Sequence, residues 1–423
     1  MTAESTPKPH VLIAGAGLGG LALAQILRKQ GISYKVFERS VASRAQGYAI
    51  GIHSIITDLV AAFPDDMPSP AVTDHLLPLD LPAEIAFYDG HSLDSRFGVQ
   101  AASRQDIIRA NRQRLRDWLA TNIDIEHGKV VETVDENDDA VIVHFADGTS
   151  ASGDFLVGAD GCFSKVRHSI FSKLGKPDPL NPLPFVLLLG EVTLHGADFE
   201  RQLELANSCY VSGYQSKGSL FVGLNSVTAD GTSGHYYWCI VYKDEAARKR
   251  PHWTASADKD ELYKFARSKI ETMDPRFLEV VEKTDPSGMV VPSFTLQDLE
   301  IEELPVSRVT LLGDAAHSMT PFRGEGGIHA MRDSLSLART IAKVAKEGTG
   351  LEGWKRGIDE YQKEMLERGG KALSRSQNTI VSVPGISVTG GLLTIVQHND
   401  KDEALHLFQR KATILRLSIL RWG

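Results

Sequence analysis

Cysteine is scarce: Cys162, Cys209 and Cys239 are the only three in 423 residues, and none forms a C-x-x-C pair. That excludes a disulfide framework and a paired-thiolate zinc motif, and it leaves three thiols expected in a reducing compartment. Long apolar runs are missing as well. Residues 1–10 are polar and carry no apolar stretch of the kind a secretory signal needs. The most apolar late segment, 380–396, is broken by Pro384, Gly385, Gly390 and Gly391. No run therefore reaches the roughly 18 residues of a membrane span. A basic excess is absent too: the net charge is −8 and the pI about 6.0, which argues against nucleic acid as a partner. Neither repeats nor low-complexity segments occur. The expectation is a cytoplasmic globular chain of two or three domains, monomer or homodimer, acting on a small molecule. Its 42% hydrophobic and 24% charged content excludes disorder.

The pattern of the first 40 residues reads as one βαβ unit. Residues 10–14 are nearly all apolar, the mark of a buried parallel strand. A glycine-rich turn over 15–20 follows, then a helix over 21–29 that Gly31 ends, then a strand over 34–37 closed by Glu38. Further along, the spacing predicts a helix over 105–122. Strands are expected at 123–125, 129–134, 140–145 and 154–157, with a hairpin turn at Asp147-Gly148. The texture changes between 184 and 292. Strand-like runs at 185–194, 208–212, 219–225 and 235–242 alternate with turns, and one helix is expected at 258–272. A buried strand at 309–312 precedes a helix at 327–346. A second helix at 352–368 is read as stopped by Gly369-Gly370, and a third is expected at 403–421. The fold class is α/β: a Rossmann-like domain, an inserted mostly antiparallel β-sheet, and a helical C-terminal segment.

Three strand-to-loop motifs carry chemistry. The first is Gly15-x-Gly17-x-x-Gly20, with Leu18 inside it. Gly15 suits a tight turn, Gly17 lets the backbone approach a pyrophosphate, and Gly20 lets helix and strand pack closely. The helix dipole and free N–H groups then favour phosphate, and Glu38 is placed to accept from ribose hydroxyls. A carboxylate there disfavours a 2′-phosphate. The second motif is Gly313-Asp314-Ala315-Ala316-His317, extended by Pro321, Arg323-Gly324-Glu325-Gly326-Gly327. Asp314 suits a ribityl hydroxyl, and the helix start after it suits negative charge on a reduced isoalloxazine. The third is Gly158-Ala159-Asp160-Gly161, where a strand ends in a turn pair.

Together these motifs resemble the class A FAD-dependent monooxygenases of the para-hydroxybenzoate hydroxylase type, in particular those of microbial secondary metabolism. The resemblance runs over about residues 10 to 340 and includes the Glu38-Arg39 pair. It implies noncovalent FAD, NADPH or NADH as electron donor, O2 as co-substrate and a C4a-hydroperoxyflavin oxidant. It also implies FAD contacts from Arg44 in Arg44-x-x-Gly47, Arg112 in Arg112-x-x-Leu115, Asp160, Asp314 and Pro321, and no metal. Two positions depart from the family pattern. Ile52-His53-Ser54 stands where Pro-Asn is frequent, and Ile328 stands where Asn often follows the second Gly-Gly. On this reading residues 1–80, 101–184 and 293–370 form a discontinuous FAD-binding domain. Residues 81–100 and 185–292 form the substrate domain, and 371–423 a C-terminal helical segment.

The expected reaction is hydroxylation or epoxidation of an aromatic or polyketide-like molecule, with Baeyer–Villiger insertion and dearomatisation as variants. A base or acceptor near the substrate would raise its nucleophilicity, and the candidates are His53, Tyr210, His235 and Tyr237. Each has a plainer reading as a packed aromatic or structural histidine. Two other functions fit the same motifs: a flavin reductase or dehydrogenase without oxygen insertion, and a non-catalytic flavin redox sensor. A halogenase fits less well, because the chain has no Trp-x-Trp-x-Ile-Pro segment.

Overall fold

The computed structural model of the protein describes residues 9–41, 48–52, 55–101, 108–213 and 219–381. In chain order the first elements are β1 (His10–Ala14), α1 (Leu18–Gln30), β2 (Ser33–Glu38), β3 (Ala49–Gly51), α2 (Ile56–Ala62), β4 (Glu84–Tyr88) and β5 (Phe97–Gln100). Then come β6 (Arg109–Asn111), α3 (Arg112–Leu119), β7 (Ile125–His127), β8 (Val131–Glu136), β9 (Val141–Phe145), β10 (Ser150–Gly153), β11 (Phe155–Gly158) and α4 (Lys165–Lys173). The middle of the chain forms β12 (Leu180–His195), α5 (Gly196–Leu205), β13 (Cys209–Ser212), β14 (Leu220–Val227), β15 (Ser233–Lys243), α6 (Lys259–Ile270) and α7 (Pro275–Glu282). It closes with β16 (Phe294–Leu299), β17 (Val309–Leu311), α8 (Asp314–His317), α9 (Gly326–Glu347) and α10 (Gly350–Val381).

The strands expected to be buried and parallel are so. They form one sheet in the order β17-β11-β1-β2-β7, and every neighbouring pair is parallel. With β1 central, the chain leaves it to one side for β2 and to the other for β11 and β17. That is the topological switch point at which open α/β sheets bind ligands. All the strands end at the same edge, so the three motif loops are brought together there. One core cluster fills this half of the molecule. It takes in β1, β11 and β17, the helices α1, α9 and α10, and the small antiparallel sheet β10-β9-β8. The two sheets touch at Phe37 and Phe145, whose ring centres lie 4.7 Å apart. On α10, Trp354 stacks on Phe155 with ring centres 3.8 Å apart.

A second sheet has the order β16-β12-β15-β14-β13-β4-β5 and is antiparallel except where β13 meets β4. Alternation along its strands gives it two unlike faces. One carries Val186, Leu188, Tyr210, Val222, Tyr236, Trp238 and Ile240, packed beneath α5, α6 and α7. The other carries Leu187, Leu189, Cys239 and Val241 and meets Phe322 from the second motif's loop. A two-stranded ribbon of β3 and β6 lies against this second face, held by hydrogen bonds from Asn111 to Asn225 and from Arg109 to Tyr237. The sheet draws on β16, which falls inside the 293–370 segment of the sequence-based division, and on β12 from Leu180 onward.

Two local expectations need correction. The helix read over 105–122 is a strand at β6 followed by the shorter α3, because the Asn111 side chain caps the helix by accepting from Arg114 N. Gly369-Gly370 does not stop a helix, since α10 runs through both. A Cβ on Gly369 would come within 2.8 Å of His317 Cβ, so that glycine permits close packing rather than termination. The helices α5 and α7 were not expected. The tail helix at 403–421 lies outside the described residues. Among the described residues no helix is long and apolar enough to cross a membrane, and the three cysteines are free thiols.

Candidate active site

The first loop is built for close approach. Gly15 has φ +114°, and a Cβ there would sit 2.3 Å from the Ala159 carbonyl oxygen. A Cβ on Gly20 would sit 2.1 Å from the Gly15 carbonyl oxygen. These two glycines close the turn on itself and on the third motif. Gly17 differs: among the described residues nothing lies within 4 Å of the position its Cβ would take. It begins α1 with no side-chain cap, so the first N–H groups of that helix have no capping side chain among the described residues. An uncapped helix start with a bare backbone before it fits a pyrophosphate. Leu18 is buried as the first residue of α1.

Glu38 stands beside that helix start. Its carboxylate accepts from Ala16 N at 3.0 Å and from Ser40 N at 2.8 Å. Burial works against its charge, but these N–H bonds outweigh burial and hold the carboxyl below its usual range. The acid is therefore ionised and oriented. Arg116 donates to the Ala16 carbonyl and braces the same turn. Arg39 is exposed at the strand end. Arg112 begins α3 and lies 5.3 Å from the centre of the Tyr48 ring.

The second loop meets the first across the cleft. A Cβ on Gly327 would touch Leu18 and Ile50, and one on Gly326 would lie 3.6 Å from an Asp314 carboxylate oxygen. Asp314 is exposed to the cleft yet walled by protein. The resulting desolvation raises its pKa, while His317 and Arg112 pull the other way. Helix α9 starts at Gly326 without a side-chain cap. Pro321 opens a short 3-10 turn through Arg323 that ends on Gly324 at φ +63°. Ile328, which replaces the family's frequent Asn, is buried in the core. In the third loop Asp160 accepts from Ser164 Oγ at 2.5 Å and from Lys165 N at 2.7 Å. Its carboxylate thus takes up N–H groups at the start of α4, and among the described residues nothing lies within 4 Å of a Cβ built on Gly161 (φ +81°). Arg44 lies outside the described residues.

Sequence reasoning missed what lies behind the second loop. Asp333 is wholly buried on α9 and accepts from Gly313 N and from His317 Nε2, each at 2.7 Å. Arg368 on α10 donates to its other oxygen at 2.7 Å and approaches His329 Nδ1 at 3.0 Å. Burial opposes charge on both Asp333 and His317, but each stabilises the other, so Asp333 is held below and His317 above its ordinary value. The spacing from Gly313 to an acid on the following helix was the signal available in the sequence. His317 belongs to this support and not to the cleft.

The large sheet meets the second loop at Phe322. Its Phe322-facing residues Leu187, Leu189, Cys239 and Val241 form an apolar wall. Tyr237 is on that face: its hydroxyl accepts from Arg109 Nη2 at 2.8 Å and from Ala49 N at 3.4 Å. Tyr210 is not. It lies on the opposite face, 1% exposed, with its hydroxyl donating to Gln202 at 2.9 Å, because alternation turns position 210 toward α5. That removes it from the candidate catalytic set. His235 shares Tyr237's face but is spent on Thr193 Oγ1 at 3.1 Å near the partly exposed Glu191. His53 lies outside the described residues.

With this geometry in place, comparison with known proteins is specific. The profile of the FAD binding domain family matches residues 96–376. The chain is 43% identical over 377 residues to the FAD-dependent monooxygenase thnD of Trichoderma harzianum, which spans 88% of this chain and 93% of that protein. It is 30% identical over 356 residues to the FAD-dependent monooxygenase dbaB of Emericella nidulans, covering 80% and 88% of the two. Among solved structures, 2,6-dihydroxypyridine-3-hydroxylase of Arthrobacter nicotinovorans superposes with a TM-score of 0.70 at 18% identity, covering 90% of this chain and 94% of that one. At that identity the likeness is one of fold.

Proposed function

The chain belongs to the FAD-binding-domain family of class A flavin monooxygenases, and from that premise we propose that it uses NAD(P)H and O2 to hydroxylate or epoxidise an aromatic or polyketide-like small molecule. The observation that carries the reading is the convergence of three motif loops on one edge of the parallel sheet, beneath an apolar sheet face. An FAD-dependent monooxygenase of the secondary-metabolism type needs both parts: a cradle for the dinucleotide and a dry chamber beside its ring.

The residues fit FAD. Gly17 and the start of α1 would take the pyrophosphate, Glu38 the adenosine ribose, and Asp314 a ribityl hydroxyl. Arg112 and Arg44 would add positive charge near the phosphates. The start of α9 at Gly326-Gly327 and the turn at Pro321 would border the ring system, with Leu18 and Ile50 beneath. Bound FAD would supply the electron transfer and oxygen activation. The chain's own work is to orient the ring, stabilise negative charge on it through the α9 dipole, and keep bulk water out with the Leu187–Val241 wall. The division into a discontinuous FAD-binding domain, a substrate domain and a C-terminal segment belongs to the same proposal. No second nucleotide fold stands in the described residues, which is consistent with NAD(P)H reaching the flavin from the surface.

The test is turnover under ¹⁸O2. The purified protein is given NADPH or NADH and a panel of phenols, anthraquinones and indoles. Accelerated NAD(P)H oxidation with ¹⁸O in the product is expected for one class. Reduction or desaturation without ¹⁸O would move the enzyme to the reductase reading.

A further inference from the structure

Three other arginines drawn into the protein are matched. Arg167 is bonded to Asp178 and to two carbonyls, Arg368 to Asp333 and Glu364, and Arg308 to three backbone carbonyls. Arg109 is not. It projects from β6 toward the large sheet, and among the described residues its guanidinium has one acceptor, the Tyr237 hydroxyl at 2.8 Å. Among the described residues no carboxylate forms an ion pair with it, and its Nε is shut away from solvent without a partner. Burial opposes charge on this guanidinium, and Cys209 and Tyr237 pull the other way and keep it charged, with no carboxylate among those causes. A fold retains such a group where a counter-charge arrives from outside.

The Tyr237 hydroxyl beside it is free to donate, and the nearby Asp74 carboxylate is engaged with His75 at 3.3 Å. Tyr237 is 5% exposed, and its oxygen already accepts from Arg109 and from Ala49 N, so its own proton has no acceptor among the described residues. Burial pushes its pKa up to about 12 even against the neighbouring guanidinium, so it stays a donor at neutral pH. His75, fully buried, holds the Arg109 carbonyl through Nδ1 at 2.7 Å and fixes the strand from behind. The ribbon connects the pair to the cleft. In the β3–β6 register Ala49, Gly51, Arg109 and Asn111 face the large sheet, while Ile50 and Ala110 face the FAD side, where Ile50 approaches Gly327. Arg109 is partly exposed rather than sealed in, which leaves it accessible to a ligand.

We propose that Arg109 and the Tyr237 hydroxyl form the substrate's anion subsite, receiving a carboxylate or an ionised phenol or enol oxygen in a bidentate, charge-assisted contact. This rests on the monooxygenase reading of the cleft. It makes Arg109 a specificity-determining residue, and it makes the substrate an acid at the working pH. Arg109 stands three positions before Arg112, which the family pattern marks for FAD, and its contacts assign it to a different task.

The experiment uses FAD-loaded protein and follows perturbation of the flavin absorbance on titration. Salicylate is compared with salicylamide, and 4-nitrophenol is compared above and below its own pKa. The ionised form of either pair is expected to bind at least about tenfold more tightly than its neutral counterpart, the scale of one charge-assisted hydrogen bond. Preference for salicylate alone assigns the subsite to carboxylates, and preference for nitrophenolate assigns it to ionised phenols or enols. Arg109→Met should abolish the preference while leaving FAD content and neutral-probe affinity unchanged. Arg109→Lys, which keeps charge but loses the fork, guards against a folding defect and should retain a reduced preference. Tyr237→Phe should weaken it further. Equal binding of charged and neutral probes, absence of binding by any probe, or an intact preference in Arg109→Met would overturn the proposal. The readout needs no turnover, so an enzyme that selects anions but inserts no oxygen would sink the monooxygenase reading and keep the subsite.

Discussion

Gly15 and Gly17 stand two residues apart and answer to different constraints. Gly15 needs its positive φ and the missing Cβ to pass the Ala159 carbonyl, whereas Gly17 has open space where a phosphate would come. Gly15→Ala should therefore lower the stability of the cofactor-free protein by more than about 2 kcal/mol, measured by urea unfolding. Gly17→Ala should leave that stability within about 0.5 kcal/mol and instead weaken FAD binding about tenfold or more, measured by flavin fluorescence. Equal effects of the two on stability would contradict the assignment. His329 gives a pH signature at the same scale. Burial, then the cations Arg368 and His317, lower its pKa to about 4, against smaller opposite pulls from Glu325 and Asp333. An unfolded histidine titrates near 6.5. The unfolded chain thus takes up a proton before the folded one, and stability falls as pH drops from about 6.5 toward 4. His317, whose pKa is raised, acts in the opposite sense and loses its contribution as pH rises through that raised value. In thermal melts, His329→Asn should show a shallower decline than the parent across the acid window. Parallel curves would show that His329 does not carry it.

At the scale of elements, the sequence was most legible where strand, turn and helix obey one short-range rule. The unit β1–α1–β2 was read within a few residues because apolar run, glycine turn and terminal acid all lie in a single stretch. The strand that ends in Gly158 and the strand that stops two residues before Gly313 were legible for the same reason. Errors came where tertiary packing overrode a local signal. Gly369-Gly370 has the look of a helix stop, yet α10 continues because Gly369 lets it press against His317, the residue tied to Asp333 beneath the second loop. The neighbouring Gly370 has nothing within 4 Å of its Cβ position. Gly370→Ala should accordingly stabilise the protein by up to about 1 kcal/mol through helix propensity. Gly369→Ala should destabilise it and reduce FAD retention, because His317 must shift. Melting temperature and bound-flavin ratio measure both. A gain of stability in both variants would contradict the packing argument. Likewise the start of α3 was misplaced, since a polar, arginine-rich stretch continues smoothly from β6 into the helix and only the Asn111 cap separates them.

For the whole molecule, the sequence indicated that a mostly antiparallel sheet would cover the nucleotide fold but could not say which of its faces meets the cleft. That depends on register, and a shift of one residue exchanges the faces. Tyr210 and Tyr237 illustrate the point. Both are strand tyrosines in similar sequence surroundings, yet one lies under α5 and the other opposite Arg109. The sheet is also assembled from strands far apart in the chain, with β4 and β5 joining β13 and with β16 joining β12, and no local pattern encodes those pairings. The anion subsite was illegible for the same reason, since its two residues are 128 positions apart. The family profile and the identity to a fungal relative make the chain an FAD-dependent monooxygenase. The most direct test of the account is the visible absorbance spectrum of the purified protein before and after incubation with FAD and removal of the excess. The account predicts a yellow protein holding FAD at equimolar ratio, with Asp314→Ala and Gly17→Ala largely colourless after the same treatment. A wild-type protein that remains colourless and takes up no FAD would contradict it.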